Sequence, residues 1–565
     1  MYIIGLHNDE DSGVALMKNG VIIEAISEER LKRIKLYKGF PKQSLDYVLN
    51  KHNLKIKDID YFAYGWHSKK KDCYVYANKL AKRIIQALNR NPNCSYIIKD
   101  RLEVEFSRDK STLSFFELEM EHLDIPKDKI VYLDHHTTHA WSAFAPSPFD
   151  ESFVFTFDGR GDLKSGSVFF ANKNDGIKEY DYLLTFDSLG YLYGAITKYL
   201  GYTPHKHEGK VTGLAAYGNY SKTLPVFKKL ISWENNTIVS NLGFYTPFFN
   251  ITNELSEILN NFSKEDIAAG LQKHCENLII NFITYWIKKI NRPEVKNICL
   301  SGGLFANVKI NQRVQEIKGI DNIYVFPHMG DGGLPVGSAC YLNYMITGLS
   351  KIKFPMVYYG PKYSNDEILS ILKQYSNKIE YIEISNKVKR VVDELICENV
   401  VGYFDNRMEY GPRALGSRSI LYHTREKKVN DWLNRRLKRT EFMPFAPVTP
   451  IEYAHECYID WNKSHICSYF MTTTYNCTES FKNIHEAVVH VDGTARPQIV
   501  TQDLNGEYYQ IVKTYCDITG EKALINTSFN QHEEPIVCYP KNAIESLLKD
   551  NVDVLFIGCY KVTIK

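Results

Sequence analysis

The sequence predicts a mixed α/β protein built as two large domains, and three observations carry that reading. A chain of 565 residues exceeds what one hydrophobic core supports. Short apolar runs of strand length recur along it, each followed by a polar or glycine-rich turn. Helix-patterned stretches alternate with those runs, which layers helices on sheets and leaves functional loops at strand ends.

In order, Tyr2 to Leu6 reads as a strand. Val14 to Met17 and Val21 to Ala25 follow as two more, joined by Lys18-Asn19-Gly20, because Asn-Gly between apolar runs favours a tight reversal. Helical patterns come next at Lys42 to Lys51 and Tyr74 to Leu88, then buried strands at Ile130 to Leu133, Ser152 to Phe157, Asn297 to Leu300 and Asn322 to Phe326. From Gly348 to Ser364 the pattern dissolves into Lys, Pro, Gly and Tyr, which places a linker at 351–364 between domains 1–350 and 365–565. Strands at Val400 to Phe404, Ala487 to Val491, Ala523 to Ile525 and Val552 to Ile557, with helices at Lys427 to Lys438 and Ala543 to Lys549, make the second domain α/β as well.

Composition narrows the function classes. With 44% hydrophobic and 24% charged residues the chain reads as an ordinary soluble globular protein, and a net charge of +3 gives no support to a nucleic-acid partner. The 12 cysteines are scattered without a C-x-x-C pair, which fits a reducing cytoplasm and argues against a disulfide framework or a structural zinc site. The start of the chain turns acidic at Asp9 before a signal-peptide core develops, and the apolar stretch Leu278 to Ile290 is too short and polar to span a bilayer. A cytoplasmic protein with no membrane partner is expected.

Several segments point to chemistry. If Asp134-His135-His136-Thr137-Thr138-His139-Ala140 is helical, His135 and His139 share one face a turn apart, where two neutral imidazoles hold a divalent cation. Asp158 and Asp331 each stand beside glycine at a strand end, and two histidines with carboxylates suit non-haem iron or zinc with open positions. Taken singly, a surface or cap role is the commoner one for the histidine pair, and each Asp-Gly reads as an ordinary turn. Ser301-Gly302-Gly303, ahead of a helix containing Asn307, and Gly330 to Gly333, including Gly332, offer backbone N–H groups to a phosphate. Neither is a P-loop or a dinucleotide fingerprint. Lys210 reads equally as a phosphate contact or part of a solvated loop.

Late in the chain, Tyr410-Gly411-Pro412-Arg413-Ala414-Leu415-Gly416-Ser417-Arg418 sets two guanidinium groups in a glycine-bearing loop. That loop, with Asp134 to Ala140, Asp158-Gly159, Glu208-Gly209-Lys210, Ser301-Gly302-Gly303, Pro444-Phe445-Ala446-Pro447, Asp492-Gly493-Thr494-Ala495-Arg496 and Asn526-Thr527-Ser528-Phe529-Asn530, resembles the O-carbamoyltransferases of the nodulation protein U, tobramycin and cephalosporin carbamoyltransferase type. The match is ordered and spans nearly the whole chain.

The resemblance implies an N-terminal domain of the actin-like ATPase superfamily, similar to the threonylcarbamoyl-transferase fold with its two subdomains, and a C-terminal YrdC-like domain. It implies that carbamoyl phosphate and ATP with Mg2+ yield carbamoyl-adenylate in the second domain, and that the first passes the carbamoyl group to a hydroxyl of a sugar or natural-product acceptor. His135, His139, Asp158 and Asp331 would be the metal ligands, iron being the family's ion and zinc the alternative. Lys210, Gly302, Gly303, Asn307 and Gly332 would face the nucleotide. Planar guanidinium groups bind phosphate oxygens two at a time. Arg413, Arg418, Arg439 and Arg496 are therefore the catalytic candidates, with Lys438 as a point charge and Ser528, Asn530 and His532 as further polar groups.

Three positions depart from the family pattern. Glu10 precedes Asp11-Ser12 where many members have histidine, Met443 precedes Pro444 where arginine is common, and His532 stands where arginine is frequent. Competing readings are an actin-like ATP-dependent phosphotransferase, distinguished by ADP rather than AMP and pyrophosphate, and a tRNA threonylcarbamoyl-type transferase, distinguished by threonine-dependent ATP consumption. A metallohydrolase lacks the H-E-x-x-H glutamate. The acceptor has no readable code, although insertions within 74–116 are expected to shape its pocket. The oligomeric state stays open, a homodimer being one reading.

Overall fold

The computed structural model describes residues 1–66, 73–245, 249–352, 357–439 and 443–565; part of the expected linker over 351–364 lies outside the described residues. The chain divides into two compact units, Met1–Ile23 with Lys38–Pro355, and Glu24–Tyr37 with Met356–Lys565. The segment Glu24–Tyr37, which lies inside the expected first domain 1–350, packs with the C-terminal unit.

The first unit is built on two five-stranded sheets. One contains β1 (Tyr2–His7), β2 (Gly13–Lys18), β3 (Val21–Ser27), β4 (Tyr61–Tyr64) and β5 (Ile130–Tyr132) in the order β3-β2-β1-β4-β5. The other contains β6 (Glu151–Gly161), β7 (Lys164–Asn172) and β8 (Gly176–Leu184), followed after a small hairpin of β9 (Ile231–Glu234) and β10 (Thr237–Ser240) by β11 (Asn297–Ser301) and β12 (Asn322–Val325), in the order β12-β11-β6-β7-β8. Both share one plan. The first strand is central, its antiparallel neighbours lie to one side, and two parallel strands lie to the other. The expected hairpin at Asn19-Gly20 forms with both residues at positive φ, 49° and 78°.

The long helix Lys264–Ile290 starts on the Ser263 cap with Glu265 and Asp266 in its first turn and ends on Lys288, Lys289 and a left-handed Asn291, as the helix dipole and capping rules require. Among the described residues no helix is long and apolar enough to cross a membrane.

The second unit is α/β around one eight-stranded mixed sheet. It holds β13 (Ile379–Glu383), β14 (Val401–Phe404), β15 (Arg418–Tyr422), β16 (Ala446–Pro450), β19 (Gln498–Val500), β20 (Leu524–Ser528), β21 (Val554–Ile557) and β22 (Tyr560–Ile564), while β17 (Tyr475–Asn476) and β18 (Thr494–Ala495) pair separately. Phe404, Ile420, Ile525 and Leu555 join the core on one face, and their chain neighbours Tyr403, Leu421, Leu524 and Phe556 join the core on the other. The period of two fixes the register, since a slip by one residue would exchange every pair. Each such side chain contributes about 1.5–3 kcal/mol by burial.

One expected strand is absent. Glu486–Val488 is a 3-10 turn, with Ala487 N–H bonded to Thr424 O and Val488 N–H to His485 O. Ala487 and Val488 are buried as loop residues, so their apolar character reports burial and not a ladder.

Candidate metal centre and anion site

In the first unit the four metal-ligand candidates converge. The helix His135–Phe144 follows β5 directly, with Asp134 as its N-cap. The Asp134 carboxylate accepts from Thr137 N at 2.8 Å and Thr137 Oγ1 at 2.7 Å. That start places the fully buried His135 and His139 one turn apart. Asp158 sits in a bulge of β6 between Phe157 and Gly161, which re-aims its side chain, and Asp331 opens the turn Asp331–Gly333.

One ligand atom from each of the four lies within 4.8 Å of the others. His139 Nε2 is 3.1 Å from Asp158 Oδ2 and 3.3 Å from Asp331 Oδ1; His135 Nε2 is 3.5 and 3.7 Å from the same atoms. The His135 distances exceed a normal hydrogen bond, and both ring nitrogens of this buried imidazole lack a hydrogen-bond partner. An unsatisfied imidazole facing two carboxylates is the donor set of a divalent transition-metal site, so these residues fit the expected ion. A Cβ on Gly161 would lie 2.1 Å from His135 Cδ2, so only glycine leaves room for that ring.

A second layer orients the ligands. Ser301 Oγ is 3.3 Å from His139 Nδ1 and 3.0 Å from Ser142 Oγ, leaving His139 Nε2 toward the carboxylates. His136 turns away, its Nδ1 2.9 Å from Thr156 Oγ1. Lys164, 1% exposed, lies 3.2 Å from Asp134 and 2.8 Å from Glu179. Burial would raise the Asp134 carboxyl, but Lys164 and the Thr137 N–H hold it well below the usual range. Burial would likewise push His139 down, yet hydrogen bonds to Asp158 and Asp331 carry it up to about 9. His7 Nε2 is 3.1 Å from Glu10 O and 3.8 Å from Asp331 Oδ2, and Glu10 Oε2 is 3.5 Å from His205 Nδ1. Burial raises the Glu10 carboxyl.

The nucleotide-facing candidates divide into two groups. Gly302 has φ 101°, and a Cβ there would lie 2.2 Å from Phe157 O; a Cβ on Gly303 would lie 3.1 Å from Asp158 Oδ1. Gly332 belongs to the Asp331 turn itself. These glycines therefore line the turns of the candidate metal ligands. Asn307 caps the helix Val308–Gln315 from outside instead of lying within it, accepting from Lys309 and Ile310 N–H, while its Nδ2 donates to Gln272 Oε1 at 2.7 Å and Thr212 Oγ1 at 3.3 Å. Lys210 is buried in the helix Glu208–Leu214 that also carries Thr212.

In the second unit the loop 410–418 folds around a buried carboxylate: Glu409 Oε1 accepts the N–H groups of Leu415, Ser417 and Arg418. Arg418 ends that loop and begins β15. Its guanidinium is fully buried, lies 3.7 Å from the Phe404 ring centroid, and donates to the carbonyls of Asp405, Asn406, Ser417 and Pro361. Its NH1 and NH2 groups are committed to main chain, so it shapes the loop.

Gln498 Nε2 donates to Leu415 O at 2.8 Å, and Asn526 Nδ2 donates to Ala414 O at 3.1 Å and Gln498 Oε1 at 2.6 Å. Three distant motifs thus meet, with Arg413 and Arg496 half-buried on two of them. Arg439 donates to Thr527 Oγ1, Ser528 O and both oxygens of Asn530, which joins three expected site residues into one turn. His532 N–H bonds to Leu437 O, beside the exposed, left-handed Lys438.

Sequence reasoning missed Ser301, Glu409, Gln498 and Asn526 as organisers, although all lie in or beside the quoted motifs. It also missed Arg30 and Arg33, which reach the second unit from more than 380 residues upstream without any local signal.

The chain belongs to the carbamoyltransferase family: Carbamoyltransferase N-terminus matches residues 2–340 and Carbamoyltransferase C-terminus residues 392–563. It is an enzyme of carbamoyl transfer. The uncharacterized protein MJ1051 of Methanocaldococcus jannaschii is 31% identical over 581 residues, 99% of each chain. Nodulation protein NolNO of Sinorhizobium fredii is 29% identical over 98% of this chain and 78% of its own. Nodulation protein U of Rhizobium tropici is 24% identical over 94% and 91%.

Proposed function

We propose that this chain is an ATP-dependent O-carbamoyltransferase with an actin-like N-terminal domain of two subdomains and a YrdC-like C-terminal domain. In the second unit, phosphoryl transfer from carbamoyl phosphate to water leaves carbamate and phosphate. The carbamate oxygen attacks the α-phosphorus of ATP, held with Mg2+, and expels pyrophosphate to give carbamoyl-adenylate. In the first unit an acceptor hydroxyl attacks the carbamoyl carbon and expels AMP. The acceptor class is a sugar or natural product.

The observation that carries the reading is the convergence of His135, His139, Asp158 and Asp331 within 4.8 Å. These four would hold an iron or zinc ion. When bound, it supplies Lewis-acid polarisation of the carbamoyl oxygen or the adenylate phosphate. The chain's own residues do the rest. Ser301 fixes His139, and Asp134 with Lys164 fixes the helix carrying both imidazoles. Glu10, a carboxyl raised by burial, is the group to accept the acceptor's proton at Oε2. In the second unit Arg413, Arg496 and Lys438 bind the anions, and Arg439 holds Ser528 and Asn530 in place.

The test is incubation with ATP, Mg2+ and 13C-labelled carbamoyl phosphate. Phosphate, pyrophosphate and AMP are expected, with labelled carbamoyl-adenylate trapped in the absence of acceptor. ADP as the nucleotide product would instead support a phosphotransferase.

A further inference from the structure

The segment Glu24–Tyr37 is far from the C-terminal motifs in sequence, yet it packs as part of the second unit. Glu24 receives Arg407 NH2 at 2.6 Å, and Ala25 N–H bonds to Tyr359 O. The short helix Glu28–Lys32 then stops on Arg33, which takes φ 61° and donates its N–H to Glu29 O. Glu29 folds the segment back by accepting Leu36 N–H at 2.7 Å and pairing with Arg30 at 3.0 Å.

The two guanidinium groups reach the two loops that carry the expected anion-binding residues. The buried Arg30 NH2 donates to Gly411 O at 2.7 Å, two residues before Arg413. Arg33 spans successive carbonyls, NH1 to Ile536 O and NH2 to Pro535 O, both at 2.6 Å. Arg439 holds the same 528–536 loop at its other end through Ser528 and Asn530, so His532 hangs between two guanidinium anchors.

We propose that Glu24–Tyr37 is an integral part of the carbamoyl-phosphate-activating site of the second unit, with Arg30 and Arg33 as positioning residues that clamp its two anion-binding loops. This deepens, and rests on, the reading of that unit as the adenylate-forming site. The clamp works without touching substrate: it fixes the main chain from which Arg413, Asn530 and His532 project, and it leaves two positive charges behind loops that receive anions.

Residue chemistry gives an asymmetric test. The two parallel donors of Arg33 across neighbouring carbonyls have no lysine equivalent, whereas the single Arg30 NH2 bond to Gly411 O can be kept by an ammonium. Full-length Arg33→Ala, Arg33→Lys and Arg30→Lys are compared by pyrophosphate release at varied carbamoyl phosphate and by amide hydrogen exchange over 411–418 and 529–537. Both Arg33 variants are expected to lose about 10²-fold in kcat/KM, the scale of a 1 Å misplacement, and to exchange faster over 529–537. Arg30→Lys, which keeps a donor for Gly411 O, is expected to lose less kcat/KM than either Arg33 variant.

Parent-like kcat/KM in Arg33→Ala, or full rescue by Arg33→Lys, overturns the proposal. If Arg33→Ala does not fold, a folded Arg33→Lys with parent-like values overturns it equally. If the parent releases no pyrophosphate, the adenylate reading fails by itself, and unchanged exchange of both loops in the Arg33 variants then overturns the clamp.

Discussion

Asp134 supplies two separable contributions to the start of the ligand-bearing helix, and substitution tells them apart. As N-cap it accepts the Thr137 N–H at 2.8 Å, and loss of such a cap costs about 1 kcal/mol. As an anion it shares the buried Lys164 with Glu179. Breaking a buried ion pair costs about 3–5 kcal/mol, and since Glu179 remains at 2.8 Å the loss here is about half of that, roughly 2 kcal/mol. Asp134→Asn retains an acceptor for the cap and is expected to destabilise by about 2 kcal/mol, whereas Asp134→Ala loses both terms, about 3 kcal/mol. Equilibrium denaturant unfolding of both variants measures the difference. Equal losses in Asn and Ala would remove the cap from the account, and a neutral Asn variant would remove the ion pair.

Three further outcomes follow from individual side chains. Burial, with Lys522 nearby, holds His485 down to about 4, and its Nε2 accepts the Lys522 N–H. Its folded pKa lies below the unfolded one, so its stabilising contribution is complete above about pH 6.5 and falls by about 3 kcal/mol toward pH 4. His485→Gln should flatten that acid limb in pH-dependent unfolding. Burial pushes Lys351 down to about 8 although Nζ donates to Ser147 Oγ at 3.0 Å. Parent stability should therefore rise between about pH 8 and 10.4 relative to Lys351→Met, and a constant difference would contradict the shift. Asp158→Asn is expected to weaken Zn2+ or Fe2+ binding by about 100-fold or more in calorimetric titration; unchanged affinity would remove Asp158 from the ligand set.

Much of the first unit was legible because its signals are local. Asn19-Gly20 between apolar runs specified a hairpin, and a helix starting at Asp134 was enough to bring His135 and His139 to one face. The partnership of Asp158 and Asp331 with those imidazoles needed the family pattern, since an Asp-Gly pair alone is an ordinary turn. Arg418 shows the limit of composition. Its burial against Phe404 and its carbonyl partners arise from the path of the loop, which no spacing encodes. Ala487 and Val488 show the same limit for strands, because burial selects apolar residues whether or not a ladder forms. Arg30 and Arg33 were invisible because their acceptors are main-chain carbonyls hundreds of residues away, where any residue type serves.

The central claim is that activation and transfer of the carbamoyl group use different residues in different units, and paired half-reactions test it most directly. With ATP and labelled carbamoyl phosphate, His139→Ala should still form carbamoyl-adenylate while carbamoylating no hydroxyl acceptor, and Arg413→Ala should form none. Loss of adenylate formation in His139→Ala, or parent-like adenylate formation in Arg413→Ala, would contradict the account.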